Sequence, residues 1–177
     1  MEKTDAMLVE QCLAGRLEAF DELVGRHQDA VYNLLLKLSG DHTEAADLTQ
    51  EAFVRAYRKL DGYDPRFSFK NWVITIGVNL AKNRFRHFAR RRRIEMEAAS
   101  PTPSSPSPPD PRLEALEAAL GLLPEKLRLP LLLRHVEGCS YAEIAQMLGI
   151  GVSAAKMRVM RARDELVQEM NHETKHV

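Results

Sequence analysis

The residues best placed to do chemistry lie between positions 67 and 93, which hold the chain's only tryptophan and eight Lys or Arg without a single acid. At helical spacing Thr75, Asn79, Lys82 and Arg86 fall on one polar face, joined by Asn83, while Trp72, Val73, Ile76 and Leu80 form an apolar stripe. Amides are weak helix formers but match the donors and acceptors of base edges, and the cations match phosphate. Aromatics at 67, 69 and 72 beside a positive groove are the combination that holds unpaired bases. A basic helix lying on an anionic membrane would need an unbroken apolar face, which Asn79, Asn83 and His87 interrupt. The run at 90–93 also suits a solvated, dipole-favoured helix end.

A second cationic set is Lys156, Arg158, Arg161 and Arg163. It follows a Ser140-x-x-Glu143 capping box and a turn at 149–152, the layout of a helix-turn-helix. The second helix of that motif enters the major groove, where Arg and Lys reach guanine edges or phosphates. Ile144, Ala145 and Leu148 are expected to pack against Val152 and Val159, and Ser153 to cap the last helix.

Bond-making chemistry has little support. The six histidines are scattered, and no nucleophile–base pair or glycine-rich phosphate loop occurs. Cys12 and Cys139 are single and far apart, so neither a zinc site nor a disulfide framework is expected, and both read as buried fillers in a reducing compartment. No catalytic residue, metal or cofactor is assigned. The apolar runs are too short to cross a bilayer and residues 1–20 lack a secretory pattern, which points to a cytoplasmic protein.

The formal net charge of zero conceals a segregation. Residues 1–65 carry 7 Lys or Arg against 13 acids, whereas residues 66–93 carry 9 Lys or Arg and no acid. Local charge governs contact with phosphate, so overall neutrality does not argue against nucleic acid.

The elements that must position these groups all read as helices. Leu17, Phe20, Leu23 and Val24 recur at helical spacing, as do Val31, Leu34, Leu35 and Leu38, with a break near Gly25–Asp29 or a continuous helix through it. Asp41 with Glu44 marks the start of a helix over 43–60 whose apolar face is Ala45, Leu48, Ala52, Phe53 and Ala56. Residues 100–111 hold six prolines and no apolar anchor, and are expected to be an extended tether between units 1–99 and 112–177. Beyond it Leu113, Leu116, Leu120 and Leu123 mark one helix, and Leu127 to Val136 a second that Pro130 should kink or shorten. The expected fold is all-α, two small helical domains with a helix-turn-helix in the second.

Several motifs in order resemble one family. The stretch Asp47-Leu-Thr-Gln-Glu-Ala-Phe-Val-Arg-Ala-Tyr57, then Phe69-x-x-Trp72-x-x-x-Ile76-x-x-Asn79 and the Arg run resemble the second conserved region of bacterial ECF (extracytoplasmic function) sigma factors. Leu122-Leu-Pro-Glu-Lys-Leu-Arg128, Glu137-Gly-Cys-Ser-Tyr-Ala-Glu-Ile-Ala145 and Lys156-x-Arg158-x-x-Arg161-Ala-Arg163 resemble their fourth region. The resemblance implies a dissociable initiation subunit of bacterial RNA polymerase.

Asp47, Gln50, Glu51 and Arg55 would be polar contacts to the clamp of the largest polymerase subunit, with Phe53 in the core. The second unit would meet the flap of the second-largest subunit. Asn79, Lys82, Asn83 and Arg86 would capture promoter DNA at the minus-ten element, helped by a base pocket shaped by residues 61–69. Lys156, Arg158, Arg161 and Arg163 would read the minus-thirty-five element. An anti-sigma factor would hold the protein inactive. The family's third region is replaced by the tether, which raises the effective concentration of the second promoter contact. The chain departs from the family at Ser153-Ala154, Met157 and Met160, where hydroxyl, polar or aromatic side chains are frequent. The competing reading is a stand-alone helix-turn-helix regulator that binds duplex DNA without polymerase.

Overall fold

A computed structural model of the chain describes residues 3–92 and 111–173. The regular elements among them are helical, and the chain divides into two compact units, Met1–Ala98 and Ala99–Val177. The tether expected at 100–111 lies outside the described residues except for Pro111, which begins a helix.

The first unit is built from α1 (Asp5–Leu13), α2 (Glu18–Ser39), α3 (His42–Arg58), a 3-10 turn (Leu60–Gly62) and α4 (Phe69–Arg92). Thr4 caps α1 by accepting from the Met7 amide, and Leu8, Val9 and Cys12 turn inward. α2 runs unbroken through Gly25–Asp29. Tertiary contacts brace that stretch: Arg26 donates to the Lys3 carbonyl at 2.7 Å and to Asp5, and His27 Nε2 meets Asp5 Oδ2 at 2.7 Å. Leu17, expected on the apolar stripe, precedes the helix and is exposed. Gly40 ends α2 in the left-handed region at φ 71°, donating its N–H to Leu36 O, a conformation that suits glycine.

Asp41 caps α3 by accepting from the Glu44 amide at 2.7 Å, and the helix ends at Arg58, short of the expected 60, because the chain tightens into the 3-10 turn. Ala45, Leu48, Ala52, Phe53 and Ala56 are all buried, as their spacing requires.

The stripe expected on α4 is displaced. Phe69, Val73, Ile74, Val78, Leu80 and Ala81 are buried, whereas Trp72 and Ile76 are half-buried at its edge. α4 packs against both α2 and α3, so it hides a wider arc than one facing helix would require. Gly77 lies at the centre of that arc. A Cβ there would come within 3.2 Å of Leu35 Cδ1 and 3.5 Å of Ala52 Cβ.

The second unit comprises α5 (Pro111–Leu122), α6 (Glu125–His135), α7 (Tyr141–Leu148) and α8 (Val152–Glu173). Leu123, Leu127, Leu131, Val159 and Ala162 form its core, with Leu120, Tyr141 and Leu166 packed on them. α6 continues on both sides of Pro130, which is buried in the second turn. The lost donor there removes one bond to the Lys126 carbonyl, and the buried leucines on either side hold the helix together. Cys12 and Cys139 are both buried free thiols, and burial pushes the Cys12 thiol above its ordinary pKa.

Candidate nucleic-acid and polymerase interfaces

On α4, Asn79 and Asn83 are exposed one turn apart on the side facing away from Val73, Gly77 and Ala81. Lys82 is half-buried on the same side, and Thr75 is turned back onto the helix, donating its hydroxyl to Asn71 O at 2.8 Å. Arg86 belongs to α4, but its side chain, like the whole side-chain set from 85 to 92, is outside the described part. Asn79, Asn83 and Lys82 are therefore brought together as a donor–acceptor surface with no acid on the helix.

The aromatics at the loop-to-helix junction divide differently from a simple stacking platform. Phe69 is 1% exposed, enclosed by Tyr63, Trp72 and His27 at ring-centroid distances of 5.5, 5.8 and 5.8 Å. It is core and cannot stack on a base. Phe67 is 44% exposed and is the loop aromatic open to solvent. It is held there by its surroundings. Tyr63 donates its hydroxyl to the Phe67 carbonyl at 2.5 Å, the Phe67 amide donates to Asp64 O, and Arg66 chelates the Asp64 carboxylate through Nε and Nη2. Arg66 draws the Asp64 carboxyl below its ordinary pKa. Tyr63 is thus a strut for the loop leading into α4 that helical periodicity could not reveal, since it lies outside any α-helix.

On α3, Asp47, Gln50 and Arg55 are exposed and Glu51 is half-buried, all on the face opposite Ala45, Ala52 and Ala56. Glu51 carries two cations, Arg55 at one oxygen (2.5 Å) and Arg84 of α4 at the other (3.4 Å). The α3 face is therefore linked to the α4 face through one carboxylate. Exposed Val54 and Tyr57 also belong to this surface. They border an apolar groove between α2 and α3 that includes Phe20, Val24 and Gln50, with Phe20 and Tyr57 edge to face at 5.0 Å. The signal was present in the sequence as two large apolar residues four and seven positions beyond Gln50, on an otherwise polar face.

Glu44 sits beneath this surface with Oε1 buried and without a hydrogen-bond partner. Burial raises its pKa, Arg84 opposes the shift, and Asp41 and Asp47 add to it. A carboxyl raised on folding stabilises fully below the ordinary glutamate pKa, and the contribution disappears as pH rises through the raised value. Glu44 should therefore contribute a loss of stability to the first unit as pH rises above the ordinary glutamate range. Glu44→Gln should flatten that slope in urea titrations followed by Trp72 fluorescence; an unchanged slope would exclude Glu44 as its source.

In the second unit Ser140 and Glu143 form both bonds of the capping box at 3.2 and 2.8 Å. Gly149 closes α7 in the left-handed region at φ 64°. Arg134 clamps the preceding turn, donating to Cys139 O at 2.9 Å with its guanidinium 4.8 Å above the Tyr141 ring. Ile144, Ala145, Ala155 and Val159 are buried as their spacing requires, but Val152 is 53% exposed. Ser153 does not cap α8. The helix begins two residues earlier than a Ser153 cap would start it, with Gly151 O accepting the Ala155 amide at 3.0 Å, and Ser153 is an exposed residue of the first turn. Lys156, Arg161 and Arg163 are exposed and Arg158 half-buried, so the four cations flank the outer face of α8. Among the described residues no group of His, Cys, Asp and Glu could hold a metal ion, and no helix is long and apolar enough to cross a membrane.

Comparison with known proteins adds two family matches in chain order. The Sigma-70 region 2 family matches residues 23–93 and the Sigma-70 region 4 family matches residues 113–166. The chain is 39% identical to the ECF RNA polymerase sigma factor SigE of Mycolicibacterium smegmatis over 85% of its own length and 61% of that relative's. With the RNA polymerase sigma-H factor of Pseudomonas aeruginosa the identity is 33% over 93% of each chain. Two solved structures superpose at a TM-score of 0.73. One is RpoE of Bartonella quintana in complex with the anti-sigma factor NepR, 26% identical over 86% of this chain and 96% of that one. The other is CnrH in complex with the cytosolic domain of CnrY, 29% identical over 95% and 97%.

Proposed function

The chain belongs to the ECF sigma factors, and from that premise we propose that it directs core RNA polymerase to its promoters through three surfaces with separate tasks. The outward face of α3, with Asp47, Gln50, Glu51 and Arg55, docks on the clamp of the largest polymerase subunit. Val54, Tyr57 and the adjoining α2–α3 groove supply apolar area around those polar contacts. The outward face of α4, with Asn79, Lys82, Asn83 and Arg86, captures unpaired bases of the minus-ten element, and Phe67 on its braced loop borders the pocket. α8, with Lys156, Arg158, Arg161 and Arg163, lies in the major groove at the minus-thirty-five element while the second unit meets the flap of the second-largest subunit.

Residues 1–99 and 112–177 act as two promoter-binding domains joined by the proline-rich segment. Control by an anti-sigma factor is supported by the similar sigma factor RpoE, solved in complex with the anti-sigma factor NepR. The work is done in the cytoplasm and is that of an initiation factor rather than an enzyme.

The observation that carries this reading is the pair of exposed amides, Asn79 and Asn83, on a helix whose opposite face is closed by core packing. Positive charge alone would bind any duplex; exposed amides over a hydrophobic support suit base edges. Run-off transcription with core polymerase on a promoter library tests it. Specific initiation above that of core alone is expected, and Arg161→Glu should lower binding to the minus-thirty-five duplex by about tenfold or more while leaving core association intact. Tight, sequence-specific duplex binding by the free protein without initiation would favour an independent regulator instead.

A further inference from the structure

The outermost line of α8 is not cationic. Its inner line, Ala155, Val159 and Ala162, is buried, and the residues directly opposite on the first two turns are Ser153, Met157 and Met160. Met157 is 48% exposed and Met160 43% exposed. Two large apolar side chains held in water at the crest of a helix, with Lys156 and Arg161 beside them, have no role in the core of this unit. Asp164, exposed one turn further on, ends the cation-flanked stretch and sets the far limit of any approach to phosphate.

A thioether donates no hydrogen bond, so neither methionine can contact a phosphate or the acceptor edge of guanine as Arg161 can. The apolar group that a base pair shows in the major groove is the thymine C5-methyl. Residues 157 and 160 are separated by about 4.5 Å along the helix axis, comparable to the ~3.4 Å between base pairs along one strand. Both can therefore meet neighbouring base pairs. The flanking cations fix the helix on the backbones, and the unbranched methionine side chains adapt to the methyl they meet.

We propose that Met157 and Met160 make the minus-thirty-five readout of this protein a thymine readout, in which the two thioether side chains pack on the C5-methyl groups of one or two adjacent thymines. The proposal rests on the reading of α8 as the major-groove helix. It differs from that reading in assigning sequence preference to apolar residues rather than to the cations, which supply affinity.

The test uses the full chain bound to core polymerase. Duplexes randomised across the upstream element are selected by the holoenzyme, and each thymine of the recovered sequence is replaced singly by deoxyuridine, which removes only the methyl. At one or two positions the replacement should weaken holoenzyme binding about fourfold, the value of one buried methyl-sized group. Met157→Ala or Met160→Ala should abolish the difference between thymine and deoxyuridine at its own position, and Met157→Leu should retain it. A recovered element in which no thymine is sensitive, or a difference that survives both alanine substitutions, would overturn the proposal. Arg161→Glu separates the two levels. If it weakens binding while deoxyuridine is neutral, α8 is in the groove and the methyl contact is wrong. If neither changes binding, the placement of α8 fails as well.

Discussion

Phe69→Ala is expected to destabilise the first unit by about 3–5 kcal/mol, the usual cost of removing a fully buried phenyl ring. Phe69 is 1% exposed and its ring contacts Tyr63, Trp72 and His27, so the void would open where α4, the loop before it and α2 meet. A loss of that size is a large part of the stability of a small domain. The effect can be read on this unit alone, because Trp72 is the only tryptophan in the chain and lies in the affected cluster. Urea titration followed by Trp72 fluorescence should show a sharply lowered midpoint for Phe69→Ala. For Phe67→Ala, two residues away and 44% exposed, the change should stay within about 0.5 kcal/mol. Similar losses for both would mean that the two phenylalanines do not divide into core and surface.

Asn79→Ala is expected to act on promoter opening and not on folding. The side chain is exposed and alanine is the better helix former, so the helix should be unharmed or slightly strengthened. If the amide holds an unpaired base, its loss removes hydrogen bonds worth about 1–3 kcal/mol, which is roughly a five- to 150-fold change in the opening equilibrium. Permanganate reactivity of unpaired thymines should fall by that order, while binding of the holoenzyme to closed duplex should change less than about twofold. Equal losses in opening and in duplex binding would assign Asn79 to backbone contact instead.

How far these surfaces could be read from the sequence depended on which physical rule governed each one. Capping is local, and it was legible: Asp41 and Ser140 each accept from the amide three residues on, as their spacing with Glu44 and Glu143 implies. The face of α3 was legible because its alanine-rich stripe is narrow, although α3 too packs against two helices, α2 and α4. The face of α4 was legible for Asn79 and Asn83 but not for Trp72 and Ile76. The buried arc of α4 is broader, from Phe69 and Leu80 on one side to Val78 on the other, and periodicity does not locate its edges. The start of α8 was misplaced by two residues because serine is a good cap only if the backbone turns there, and the turn is made at Gly151.

The sequence by itself determined the all-α character, the two-unit organisation with a proline-rich segment between, and the segregation of charge. Each is a property of composition and short-range periodicity. The tertiary structure alone decided that Phe69 is core and Phe67 is surface, although both are phenylalanines at one junction. It decided that α2 runs straight through Gly25 because Arg26 and His27 are tied to Asp5. It also joined Glu51 of α3 to Arg84 of α4, 33 positions apart in the chain. Those outcomes depend on what arrives from distant parts of the chain. In the described part of stretch 67–93, local pattern marked a basic face with amides and aromatics, and packing chose which of those side chains remain exposed.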